Sequence, residues 1–85
     1  MDKIITVKVD PDGKIYLVMN DSTIIHIDRD KKTLQQNFMF DVRYNNPSTN
    51  HPGKLTYDQF IKWVNDQIDD VDNINDVYFI RLIKK

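Results

Sequence analysis

Apolar and polar residues alternate at every second position through much of the first half of the chain. Residues 3 to 9, Lys-Ile-Ile-Thr-Val-Lys-Val, place Ile5, Val7 and Val9 on one side of an extended segment. Asp10-Pro11-Asp12-Gly13 then supplies a turn. Proline fixes φ at the first corner, an aspartate bonds its own backbone, and Gly13 takes the positive φ. Ile15 to Met19 returns, Asn20-Asp21-Ser22 turns again, and Thr23 to Asp28 makes a third strand with Ile25 and Ile27 on one side and Ile24 and His26 on the other. Phe38, Phe40, Val42 and Tyr44 alternate with Met39, Asp41 and Arg43, which predicts a strand over Asn37 to Tyr44. Residues 31 to 37 allow two readings. Asp30 to Thr33 closes a third hairpin, or Thr33-Leu34-Gln35-Gln36 opens a helical turn; the alternation that follows favours the hairpin.

The period changes in the second half. Asn45 to Gly53 has the composition of a loop. Thr56 with Gln59 three residues on forms a capping box, Leu55 and Phe60 are placed for a hydrophobic staple, and Asp58 suits the positive end of a helix dipole. Tyr57, Phe60, Ile61, Val64, Ile68 and Val71 fall within about 100° of arc at 3.6 residues per turn, which predicts one amphipathic helix near residues 56 to 71. Val77 to Ile83 is apolar on both faces, the mark of a strand inside a sheet, and the simplest path lays it beside the first strand. The expected fold is α+β: an antiparallel, mostly meander sheet of four to five strands with one amphipathic helix packed on one face. The order is β-β-β-β-α-β, and residues 1–85 form a single small domain.

Composition narrows the function more than the fold. With no cysteine, disulfides and thiolate metal sites are excluded, and a reducing, cytoplasmic setting is expected. The first residues lack the apolar run of a signal peptide, and no stretch approaches the roughly 18 apolar residues of a membrane span. All 13 acidic residues are Asp, and Ala is absent too, so any helix depends on tertiary packing rather than intrinsic propensity. Heavy use of Ile, Asn and Lys beside few Gly and Pro suits an AT-rich genome, as in a low-GC bacterium or its phage.

Catalytic motifs are missing. Ser22 and Ser48 lie in a turn and a loop, outside any nucleophile elbow. His26 and Asp28 share a strand face without a third metal ligand, and Gly13 and Gly53 are turn residues rather than a phosphate cradle. The run from Asp69 to Asp76 is oxygen-rich, yet it has neither the central glycine nor the closing glutamate of a calcium loop. No cofactor or metal is therefore expected.

Charge and one aromatic residue point elsewhere. Residues 55 to 76 carry six acids against Lys62 alone, while the whole chain has net charge −1. Asp69, Asp70 and Asp72 fall where the predicted helix would end, an end the dipole makes unfavourable for anions. Trp63 lies beyond the edge of the apolar stripe, on the side of Asp66 and Asp70. Either it anchors an interface, or it covers the sheet margin or packs under the long loop. The reading that follows is a small non-enzymatic protein-interaction domain, phage or mobile-element encoded, that binds a basic protein through Trp63, Asp66, Asp69, Asp70 and Asp72. The alternative is a nucleic-acid-binding module using strand aromatics and the basic C-terminal strand, which a pI near 6.0 disfavours. Sheet edges with little to guard them further suggest a homodimer.

Overall fold

The computed structural model describes residues 3–46, 50–67, 69 and 71–85. Its strands are β1 (Lys3–Val9), β2 (Ile15–Met19), β3 (Ile24–His26), β4 (Phe38–Tyr44), β5 (Gly53–Leu55) and β6 (Tyr78–Lys84). Its helices are α1 (Lys31–Asn37), α2 (Tyr57–Asn65) and α3 (Val71–Val77). The six strands form one antiparallel sheet in the order β3-β2-β1-β6-β4-β5. The α+β class and the β1-β2-β3 meander agree with the sequence reading, and the final strand is interior, between β1 and β4.

The first turn forms as its residues dictate. Gly13 has φ 84° and donates to the Asp10 carbonyl at 2.9 Å, and the Asp10 carboxylate accepts from the backbone of Asp12 and Lys14. The capping box is also present, with Thr56 Oγ1 accepting from Gln59 N at 3.3 Å and Gln59 Oε1 from Thr56 N at 3.0 Å. From that start α2 buries Tyr57, Phe60 and Val64, and the Phe60 ring stacks on Phe40 of β4 with centroids 4.2 Å apart. All three helices feed one cluster on one side of the sheet: Leu34 from α1, Phe60 and Val64 from α2, Ile74 from α3.

Four expectations need correction. Residues 31 to 37 form α1, not a hairpin. Period-2 alternation begins only at Phe38, and before it the single apolar residue, Leu34, is what a short helix needs to dock (2% exposed). The helix expected over 56 to 71 stops at Asn65, because Asn65 and Asp66 are poor helix formers in a chain without Ala. Gln67 N donates to Val64 O at 2.9 Å, closing the last turn tightly. Ile68 lies outside the described residues, and Val71 opens a separate helix, α3, which ends on Val77, so the last strand starts one residue later than expected. Finally, Gly53–Leu55 is a sixth strand pairing with Val42 to Phe40, too short to show a period.

Two side chains finish the sheet where strands cannot. β1 pairs with β6 only from Lys3 to Ile5, and beyond that point Asn75 of α3 takes the place of a strand. Its Oδ1 accepts from Val7 N at 2.9 Å and its Nδ2 donates to Val7 O at 2.8 Å. At the outer side of β3, Asp30 does the same for His26: its carboxylate accepts from His26 N at 3.1 Å and its backbone N donates to His26 O at 2.9 Å. Both edge strands are three residues long. Short, side-chain-blocked edges are how proteins suppress strand-to-strand association, so the edge argument for a homodimer has no long template to act on.

Candidate functional site

Alternation along each strand divides the side chains between the two faces of the sheet. Every buried apolar strand residue lies on the helix side: Ile5, Val7, Leu17, Met19, Phe40, Val42, Ile80 and Leu82. The exposed large hydrophobic residues among those described are Ile4 (39%), Ile24 (49%) and Phe79 (37%), and all three lie on the opposite face. Among the described residues no helix crosses that face. Val18, Met39 and Ile83 extend its apolar surface, half-buried between their neighbours.

The strand register sets rows across this open face. One row runs Ile4, Arg81, Asp41, Lys54 through β1, β6, β4 and β5. Another runs His26, Tyr16, Lys8, with the Tyr16 and His26 ring centroids 6.0 Å apart. Arg43 stands opposite Phe79. Asp41 is 1% exposed although it points away from the core, because two arginines lie over it. Arg43 Nε bonds its Oδ2 at 3.1 Å, and Arg81 Nη2 bonds the same oxygen. Burial pushes the Asp41 carboxyl up, but the Arg81 hydrogen bond and the two guanidinium charges outweigh that and hold it below the usual aspartate value. The face thus carries four bases, Lys8, Arg43, Lys54 and Arg81, against one acid that is already engaged.

The residues singled out from the sequence are placed differently from one another. Trp63 is half-buried, its ring edge-on to Tyr78 at 4.8 Å and 6.0 Å from Phe60, so it covers the sheet margin. Asp66 is the C-cap of α2 and exposed, and Asp69 is exposed in the connection that follows. Asp70 lies outside the described residues. Asp72 is the second residue of α3. His26 contacts the Tyr16 ring and Asp30, and His51 Nδ1 accepts from Tyr44 N at 2.9 Å. Among the described residues no three His or Asp side chains gather as a metal site, and no helix is long and apolar enough to cross a membrane.

Sequence reasoning passed over the open face, although the signal was present. Ile4, Ile24, Phe79 and Ile83 are apolar on the side of their strands that faces away from the stripe chosen as core. Set against models of known protein families, characterised proteins and solved structures, the chain matches none of them.

Proposed function

We propose that this chain is a small, non-enzymatic protein-interaction domain that binds its partner on the open face of the sheet. One observation carries this reading: the exposed large hydrophobic residues, Ile4, Ile24 and Phe79, share a face that no helix among the described residues covers. A contiguous apolar surface rimmed by charge is the usual form of a binding site on a small domain. Lys8, Lys54 and Arg43 around it fit an acidic, partly apolar protein surface. The acidic stretch around Asp66 and Asp69 is the competing location, weakened because Trp63 packs against Tyr78.

A nucleic-acid-binding module is the second reading, favoured by Tyr16 and Phe79 standing beside Lys8 and Arg43 on the same basic face. Aromatic rings for stacking and cations for the backbone are what single strands require.

Capture with an immobilised wild type, an Ile4→Asp/Phe79→Asp variant and an Asp66→Asn/Asp69→Asn variant tests the first reading. The open-face variant should lose the protein that wild type retains, and the acidic-end variant should keep it. The reverse pattern moves the site to the helix connection. Steep loss of heparin retention with salt, with a slope of several units, would instead favour nucleic acid. A mass of two chains that the open-face variant abolishes would make a second copy the partner.

A further inference from the structure

Helices of seven, nine and seven residues are each only about 10 to 14 Å long and cannot roof six strands. The gap they leave is a cavity of about 560 Å³ between α1, the edge strand β3 and the ends of β2 and β6. Met19 and Leu82 reach it from the helix side of the sheet, Leu34 from α1, Phe38 from the start of β4, and Ile24 and Ile25 from β3. Its charged lining is lopsided. In the lining Lys3, Arg29 and Lys84 stand against Asp30; Lys3 also reaches Asp21 outside the lining at 3.4 Å, and the Asp30 carboxylate accepts from His26 N at 3.1 Å and from Arg29 Nη2 at 3.3 Å, which leaves a net positive rim.

We infer that this cavity binds a small amphipathic anion, a linear aliphatic carboxylate. Its chain lies along Met19, Leu34, Phe38 and Leu82, and its carboxylate meets Lys3, Arg29 and Lys84. The volume falls inside the roughly 300 to 1,000 Å³ of small-molecule sites, which are apolar with a few convergent polar groups. Charge selects the headgroup. A cation of the same shape meets three bases, and a neutral alcohol gains no ion pair with them. Ile24 belongs to both the rim of this cavity and the open face, whereas Phe79 and Arg43 line no part of the cavity, so changes at Phe79 tell the two sites apart.

Titration of ¹⁵N-labelled protein with decanoate below its micelle concentration, followed by amide shifts, tests this. Saturable shifts are expected at Thr23 to Ile25 and at Thr33 and Leu34. Decylammonium and decanol should bind at least about tenfold more weakly. Arg29→Gln with Lys84→Gln, both surface changes that leave the apolar lining intact, should weaken decanoate about tenfold and leave decanol unchanged. Thr33→Trp, which fills the cavity from its exposed rim, should abolish binding of both. Phe79→Asp should change nothing, which separates this site from the partner face. The inference is overturned if decanoate gives no saturable shift at millimolar concentration. It is equally overturned if the shifts map to Ile4 and Phe79 instead, or if decanol binds as tightly as decanoate.

Discussion

The two faces of this sheet are built from the same strands, often from adjacent residues, yet they obey different rules. Ile80 is buried and Phe79 is 37% exposed; Ile5 is buried and Ile4 is 39% exposed. On the helix side, apolar side chains meet Leu34, Phe60 and Ile74 and leave water completely. On the other side, equally apolar residues have only their strand neighbours to cover them. Their presence there is not explained by folding, since that surface gains little from burial within the chain. The one charged group buried among the described residues, Asp41, lies on the open side, and it is buried by arginines rather than by a core. One face is a stability device, and the other is a surface with its charge and shape already set.

The sharpest way to break this contrast is to truncate one aromatic residue on each side. Phe60→Ala should cost about 3 to 5 kcal/mol, because the ring is fully buried and stacked on Phe40. Denaturant midpoints at a constant slope report the loss. Asn75→Asp comes next. It removes the donor to the Val7 carbonyl and should cost about 1 to 3 kcal/mol by the same measurement, with faster hydrogen exchange at β1 amides.

Asp41→Asn should cost about 1 kcal/mol at neutral pH, since Arg43 and Arg81 keep solvent contact and the pairs are screened. Its pH dependence is more telling. The folded carboxyl titrates below its ordinary 3.8, so its contribution is present above that value and is lost as pH falls through the lower folded value. The stability difference between wild type and Asp41→Asn should therefore shrink as pH drops below about 4. A difference constant from pH 7 to pH 2 would mean that the arginines do not hold the charged form. The smallest effect belongs to Phe79→Ala, expected within about 0.5 kcal/mol of wild type. A loss matching that of Phe60→Ala would erase the distinction between the faces.

The parts of the fold that were readable from the sequence are those in which local chemistry and tertiary packing agree. The Asp10 to Gly13 turn, the Thr56 capping box and the stripe from Tyr57 to Val64 each carry a signal that stands without the rest of the molecule. Among the described residues α1 and α3 each bury one aliphatic side chain fully, Leu34 and Ile74, and one residue has no period. The stretch around Ile74 also reads as a solvated acidic run, which hides both the core anchor and the Asn75 bond to Val7. The helical period puts Trp63 off the stripe, but only the position of Tyr78 decides what it touches. The open face was legible in Ile4, Ile24 and Phe79 once both sides of every strand were weighed. The cavity beside α1 was not legible, because it is a product of how far three short helices reach.

The place of β6 at the centre of the sheet has a consequence for the order of events during synthesis. Strands β1 to β3 pair with one another in sequence order, and β4 pairs with β5 across residues 45–52. These two blocks share no strand pairing until Tyr78–Lys84 emerges and zips against both. Until then each half exposes an inner edge and the apolar residues meant for the core. The nascent chain is thus most vulnerable to aggregation in the interval before residues 78–84 arrive, and the rate of folding is governed by closing a loop from β1 to β6 that spans nearly the whole sequence.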